Sequence, residues 1–220
     1  LLICSALVVG TPVYAQQSSD DTLDIIVEGT GDGSGFRIAV APFHWTSSAQ
    51  QPANAMHQIV LDDLVRSGRF VAQPMAPGVA TLSSGSAVNF ARWAHTTYLA
   101  VGDVSAGASG DLQVRFRLFD VTTRQELRGL GYQRSLSEYR ITAHDIADEI
   151  YETVTTESGA FSSRLAYITE QRGGKERIYS LNVADSDGYN ANVMLQSRQP
   201  IMSPSWSPDG NRLAYVSFEQ

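Results

Sequence analysis

A seven-residue segment occurs twice in the chain, at 163–169 and 211–217, with an offset of 48 residues. The copies read SRLAYIT and NRLAYVS, and the second follows the turn-rich segment SPSWSPDG at 203–210. A repeat period of about 40–50 residues with a turn signal is typical of β-propeller blades. One blade cannot bury its own faces, and about 4–8 normally close around an axis. The sequence therefore predicts the first blade and the start of the second over residues 159–220, at the front of a longer protein.

Residues 1–15 have the character of an incomplete secretory signal peptide. Residues 1–10 are almost wholly apolar, and Val-Tyr-Ala at 13–15 provides small residues for a signal peptidase. The apolar run is too short to span a bilayer, and a buried N-terminal helix is the alternative. The single cysteine, Cys4, lies in this segment. The absence of disulfides in an exported protein is more typical of a large domain in a bacterial periplasm than of a small secreted scaffold.

Residues 16–35 are predicted to form an N-terminal strand and a Gly-rich linker. The strand covers 22–28, where the sequence TLDIIVE is rich in apolar and β-branched side chains. The linker, at 29–35, has four glycines in seven residues, in a spacing that matches neither phosphate-binding glycine motif. An apolar strand on a glycine tether is suited to adding to the sheet edge of a partner. An ordinary edge strand of the following domain is the alternative.

Residues 36–158 alternate between strand and helix patterns, which predicts an α/β domain. In the clearest strand, at 111–120, apolar side chains alternate with polar ones. In the helix at 54–67, Met56, Val60 and Leu64 repeat every fourth residue, and Gly68 follows as a C-terminal cap. The other predicted elements are strands at 36–43, 97–104 and 126–136, a short helix at 88–95 and a helix at 141–157.

The helix at 141–157 is predicted to begin with a capping box formed by Thr142 and Asp145. Its outer face is acidic, and we interpret that face as solvated. Helix patterns then cease, and short strands are predicted at 164–169, 176–183, 191–196 and 212–218. Trp206 is predicted to pack between blades from a loop that two prolines fix, and residues 185–190 to form a turn.

The sequence also lacks the patterns expected for nucleic-acid binding, metal binding and catalysis. Residues 16–158 carry a net charge of −7 and residues 159–220 a net charge of zero, which disfavours nucleic-acid binding. The four histidines have no metal-ligand spacing, and there is no G-x-S-x-G nucleophile motif. We therefore predict no catalytic residue, no metal site, no cofactor and no enzymatic activity.

The chain resembles the TolB family of periplasmic propeller proteins. The resemblance covers nearly the whole chain. It rests on the predicted signal and strand and on these segments: APFHW at 41–45, LVRSGRF at 64–70, AFSSRLAY at 160–167, DGYN at 187–190 and QPIMSPSWSPDG at 199–210. The acidic α/β domain before the first blade and the DGYN and QPIMSP stretches are its specific parts.

The resemblance implies a fold and a role. The fold is an α/β N-terminal domain followed by a propeller, six-bladed when complete. The role is that of a non-enzymatic periplasmic adaptor of the Tol–Pal system, which links TolA of the inner-membrane complex to the outer-membrane lipoprotein Pal. The system serves outer-membrane invagination at cell division and outer-membrane integrity, and colicins exploit it.

In the family, the N-terminal strand of the mature chain engages the C-terminal domain of TolA. The matching residues here are Leu23, Asp24, Ile25, Ile26 and Val27. The loops that face Pal lie largely beyond Gln220.

Two other functions remain open at the sequence level. A peptidase of the prolyl-oligopeptidase kind places a propeller before an α/β-hydrolase domain, and a G-x-S-x-G motif beyond Gln220 would identify it. The α/β domain before the propeller argues against it. A sugar- or metal-binding propeller would need polar residues that converge on the axis from further blades.

Overall fold

The computed structural model describes residues 35–219 apart from 77, 79–81, 108 and 174–175. The predicted signal peptide and the predicted strand at 22–28 lie outside the described residues. The α/β part contains six strands and two α-helices: β1 (Phe36–Val40), β2 (His44–Trp45), α1 (Met56–Arg66), β3 (Phe70–Ala72), β4 (Tyr98–Ala106), β5 (Leu112–Asp120), β6 (Gln125–Arg134) and α2 (Tyr139–Thr155). Short 3₁₀ helices cover Phe90–Trp93 and Leu136–Glu138.

The strands of the α/β part form one mixed sheet in the order β3-β1-β4-β5-β6, and β2 pairs with β4 off this path. The pairs β1–β3, β1–β4 and β2–β4 are parallel. The pairs β4–β5 and β5–β6 are antiparallel, so the predicted hairpin between 111–120 and 126–136 is present. Helix α1 connects β1 and β2 to β3, and α2 follows the edge strand β6.

The centre of this sheet is buried on both faces. On one face, α1 and α2 pack on Ile38, Val40 and the inward side chains of β5, which are those that the alternation predicts. On the other face, Ala39, Ala41 and Trp93 form a second, smaller core under the segment between β3 and β4. Strand β1 is thus buried on both sides, as its continuous apolar run indicates.

The predicted C-terminal glycine cap of α1 is present, whereas the predicted N-terminal capping box of α2 is not. Gly68 adopts a φ of +72°, which suits glycine just past the C-terminus of α1. The predicted capping box of α2 is wrong. Ser135 and Glu138 form the box instead, seven residues earlier, around the 3₁₀ helix that leads into α2. The hydroxyl of Thr142 is already inside the helix, where it donates to the Glu138 carbonyl at 2.8 Å.

The propeller part contains five strands in two sheets. Strands β7 (Arg164–Gly173), β8 (Glu176–Asp185) and β9 (Asn192–Ser197) form an antiparallel three-stranded sheet. Strands β10 (Ile201–Trp206) and β11 (Leu213–Ser217) form an antiparallel pair. The segment around Trp206, predicted as a loop, is therefore a strand. A bulge between Met202 and Ser205 accommodates Pro204 within it.

The repeat explains why the two sheets differ. Strands β7 and β11 coincide with the two sequence copies. The segment 48 residues before β10 is 153–158, and there the end of α2 takes the place of a strand.

Within the described part of the chain, no helix has both the length and the apolar character needed to cross a membrane.

Candidate functional site

The residues predicted to bind a partner strand, 23–27, lie outside the described residues. The described residues bring together a different group of functional side chains. It lies where α1 and α2 meet the turn between β8 and β9, and we call it the junction cluster. Its members are Asp63, Arg66, Arg140, His144, Asp185 and Asp187.

The buried centre of the junction cluster is a carboxylate–imidazole pair. Asp63 Oδ2 and His144 Nδ1 are 2.5 Å apart, and both side chains are fully buried. Because α1 and α2 pack side by side, these residues meet although they are 81 positions apart. Arg66 Nη2 lies 3.2 Å from Asp63 Oδ1 and supplies one compensating charge.

The other half of the junction cluster joins α2 to the propeller part. The Arg140 guanidinium on α2 pairs with Asp187 through a short contact, and its Nε lies 3.5 Å from Asp185 Oδ2. The same guanidinium carbon lies 3.9 Å from the ring centroid of Tyr189. Asn190 Nδ2 donates to Asp185 Oδ2 at 2.8 Å. The predicted turn at 185–190 is present and presents both carboxylates to one arginine.

The two halves of the junction cluster are close enough to act together. One ligand atom each from His144, Asp185 and Asp187 lies within 4.8 Å of the others. Partial burial acts to raise the pKa of Asp187, but the backbone N–H of Tyr189 and the positive charge of Arg140 outweigh it, so the pKa lies below its ordinary value.

A polar cleft of about 420 Å³ opens beside the junction cluster, between α1 and the turn of the propeller part. Arg140, Asp187 and Tyr189 form one wall, and His57 lies on the other. Partial burial lowers the pKa of His57, against the opposing effect of Asp62. The cleft thus has charged groups of both signs around a neutral imidazole.

A second set of contacts fixes the segment between the two parts. Asp148 on α2 accepts hydrogen bonds from the backbone N–H groups of Phe161, at 2.7 Å, and Ser162, at 3.0 Å. The Phe161 ring packs edge-on against Tyr151, and Ser186 donates a short hydrogen bond to the Phe161 carbonyl. The predicted solvated acidic face of α2 is therefore wrong for Asp148, which caps this segment.

A groove of about 650 Å³ separates the two propeller sheets. Arg164 of β7 stacks over Trp206 of β10, so Trp206 packs between the sheets as predicted, but from a strand. Leu181, Met194 and Tyr215 contribute apolar lining. This groove has the character of an interface between neighbouring blades.

Sequence reasoning missed the Asp63–His144 pair because nothing local connects its members. One signal was present. Asp63 lies four residues after Ile59, in the apolar stripe of α1, and His144 lies beside Ala143 on the buried side of α2. A charged residue within a buried stripe requires a partner, although the stripe does not say which.

The comparisons with known families match two successive parts of the chain to two family models. Residues 23–127 match the model of the TolB amino-terminal domain, and residues 151–220 match the model of the TolB beta propeller domain. The predicted combination of an α/β domain and part of a propeller is thereby confirmed.

Individual relatives give the same result. The chain is 39% identical to the Tol-Pal system protein TolB of Xanthomonas campestris pv. campestris (strain B100), over all of this chain and 50% of that protein. It is 39% identical to the protein of that name from Xylella fastidiosa (strain 9a5c), over 90% of this chain and 45% of that protein. The chain thus spans about half the length of the curated relatives it matches.

A solved structure extends the likeness to three dimensions. The crystal structure of TolB from Acinetobacter baumannii superposes with a TM-score of 0.71 at 32% identity. The superposition covers 84% of this chain and 45% of that one.

Proposed function

The chain belongs to the TolB family, and we propose that it acts as a periplasmic adaptor of the Tol–Pal system. In this role it links TolA of the inner-membrane complex to the outer-membrane lipoprotein Pal and supports the outer membrane during division. One observation carries the proposal. A TolB amino-terminal domain and TolB propeller sequence follow each other in one chain, with identity to Tol-Pal system proteins along its whole length.

TolA is the partner that we assign to the N-terminal strand. Residues Leu23 to Val27 each have a main-chain N–H donor, all but Asp24 are apolar, and a glycine-rich segment follows them. Strand addition uses such a segment well, since the main chain provides hydrogen bonds and alternate side chains fill pockets. For Pal we propose the propeller as a whole and name no residues.

An adaptor needs no catalytic centre, and the junction cluster supports that role. Asp63 and His144 are arranged like the acid and base of a hydrolase triad. However, His144 Nε2 is buried and has no hydrogen-bond partner among the described residues, so no described serine hydroxyl is hydrogen-bonded to it. The TolB amino-terminal match also favours the adaptor over a peptidase of the prolyl-oligopeptidase kind.

The experiment that tests the proposal is direct binding. The full chain is passed over a size-exclusion column alone, with the purified TolA C-terminal domain, and with the soluble part of Pal. We expect co-elution with TolA. Independent elution of the chain and TolA at concentrations of tens of micromolar, with a well-folded chain by circular dichroism, would contradict the adaptor role.

A further inference from the structure

We propose that the junction cluster is a binding site for one divalent transition-metal ion, with Zn²⁺ as the best fit. The ligands are His144 Nε2 and one carboxylate oxygen each from Asp185 and Asp187. One ring nitrogen of His144 and one carboxylate oxygen from each aspartate lie within 4.8 Å of one another, close enough for a small movement to bring all three onto one ion. We assign that nitrogen as Nε2, because Nδ1 is hydrogen-bonded to Asp63.

The first argument is the state of the His144 ring. A carboxylate only accepts hydrogen bonds, so Nδ1 carries the proton that is shared with Asp63. This hydrogen bond favours the tautomer whose lone pair is on Nε2, which is the tautomer that a metal ion requires there. Metal-binding histidines almost always donate the other ring N–H to a carboxylate, a backbone carbonyl or water, which fixes the tautomer and raises the basicity of the ligand.

The second argument is that Nε2 has no other role. The His144 side chain is fully buried, and Nε2 has no hydrogen-bond partner among the described residues. Buried polar atoms are normally satisfied, since leaving one unpaired costs about 1–3 kcal/mol. A ligand that accepts a lone pair from Nε2 removes that cost.

The third argument is charge. The cluster contains three carboxylates, on Asp63, Asp185 and Asp187, against two guanidinium groups, on Arg66 and Arg140. These charges leave a net charge of −1 around the imidazole, and a divalent cation there reverses its sign. Arg140 is the competitor, because it pairs with both carboxylates of the turn. Metal binding is therefore expected to shift Arg140 towards Tyr189, whose ring already lies 3.9 Å from its guanidinium carbon.

The ligand types select the metal. One imidazole and two carboxylates suit Zn²⁺ better than Ca²⁺ or Mg²⁺, which prefer oxygen ligands alone. The ion would join α2 to the turn between β8 and β9, and so tie the α/β part to the propeller part. This role is independent of which proteins the chain binds.

The test is calorimetric titration of ZnCl₂ into the full chain, with Cys4→Ser as the parent so that its thiol cannot bind zinc. We expect one Zn²⁺ per chain, and about tenfold or greater weakening in His144→Gln and in Asp187→Asn. Asp63→Asn should weaken binding by about 10- to 100-fold, although Asp63 is not a ligand, because this aspartate orients the imidazole. Arg140→Gln should tighten it, because the competing cation is removed. His44→Gln, at an exposed histidine, is the matched control and should bind as the parent does.

A second variant and a spectroscopic measurement test the site independently of His144→Gln. Asp187 is partly exposed, so Asp187→Asn tests the site even if His144→Gln fails to fold. X-ray absorption of the bound zinc should show one imidazole ligand. The absence of zinc binding by the parent, or unchanged affinity in Asp187→Asn, would overturn the proposal.

Discussion

The guanidinium carbon of Arg164 lies 4.7 Å from the ring centroid of Trp206, and Arg164 Nη2 donates to the Gly210 carbonyl at 2.6 Å. Arg164 belongs to the first copy of the repeated segment, and the other two residues belong to the turn-rich segment before the second copy. The two repeat units are therefore joined by side chains that belong to the repeat itself. The arginine of the first unit binds the tryptophan and the turn that precede the second copy.

Replacing this arginine should loosen the two propeller sheets. Arg164→Met keeps much of the aliphatic stem but removes the cation over Trp206 and the hydrogen bond to Gly210. We expect a loss of about 1–2 kcal/mol in the free energy of unfolding, since each contact is partly exposed. Arg212→Met, at the equivalent position of the second copy, is the matched control and should change it by about 0.5 kcal/mol or less. Urea denaturation followed by tryptophan fluorescence measures both. Equal losses in the two variants would contradict the assigned contact.

Tyr139 gives a prediction on alkaline stability. Burial is the main cause that raises the pKa of its hydroxyl to about 12. The unfolded chain loses this proton near pH 10, so between about pH 10 and 12 the native state holds the extra proton and stability falls as pH rises. Tyr139→Phe removes this contribution, which amounts to about 3 kcal/mol at most. The hydroxyl makes no hydrogen bond of normal geometry among the described residues, although the Met56 backbone lies close enough to lower its pKa slightly, so the variant should lose little stability at pH 7.

Denaturation midpoints at pH 8 and pH 11 measure this difference. Tyr132→Phe is the matched comparison, because its pKa is also raised to about 12, mainly by burial, on a half-exposed side chain. A parent and a Tyr139→Phe variant that lose stability in parallel across this range would contradict the prediction.

The features that the sequence predicted correctly are those set by residues close to one another in the chain. The alternation in β5 and the i+4 stripe of α1 are local, so the strand, the helix and their buried faces were predicted correctly. The capping box was misplaced because Ser135 and Glu138 belong to a 3₁₀ turn that has no apolar periodicity of its own. Strand β10 was missed because its prolines signal a loop, and only pairing with β11 makes the segment extended.

The junction cluster could not be predicted, since the contacts that join its elements cross long stretches of chain. Asp63 and His144 are 81 residues apart, and Arg140 and Asp187 are 47 apart. Such pairs depend on how α1, α2 and the turn at 185–190 are arranged in space. The fold class followed from local patterns, whereas the cluster followed only from the packing of helices on the sheet and on the propeller part.

The propeller part should be the more easily cleaved region of the chain. Most of the large apolar side chains that are exposed lie there: Leu165, Tyr189, Val193, Met194, Met202, Tyr215, Val216 and Phe218. The α/β part buries its sheet on both faces. We therefore expect residues 36–158 to persist as a folded domain while 159–220 is cut. Limited proteolysis with mass spectrometry of the early products measures this. First cuts inside 36–158 would contradict it.

The full chain should not hydrolyse peptides. His144 is fully buried with Nε2 unpaired among the described residues, so substrate has no access to the one Asp–His pair they contain. We expect no release of chromophore from chromogenic peptide substrates above the rate without protein. Turnover that a serine-directed inhibitor abolishes would contradict the adaptor function and support the peptidase alternative.

The last prediction concerns the strand at 22–28 and TolA. If the segment binds by strand addition, its backbone N–H groups are required, and Ile26→Pro removes one donor and fixes φ. Asp24→Ala keeps the backbone and should cost less. The proposed anchoring side chains are Ile25 and either Ile26 or Val27. Burying one isoleucine side chain is worth about 1.5–3 kcal/mol, which is roughly tenfold to a hundredfold in affinity.

Calorimetric titration of the TolA C-terminal domain into the parent, a 22–28 deletion, Ile26→Pro and Asp24→Ala measures these differences. Since strand addition depends on main-chain hydrogen bonds, the order of loss should be deletion, then Ile26→Pro, then Asp24→Ala. A side-chain interface without strand pairing would instead make Asp24→Ala at least as damaging as Ile26→Pro. Undiminished binding by the deletion would assign 22–28 to an ordinary edge strand and place the TolA site elsewhere on the protein.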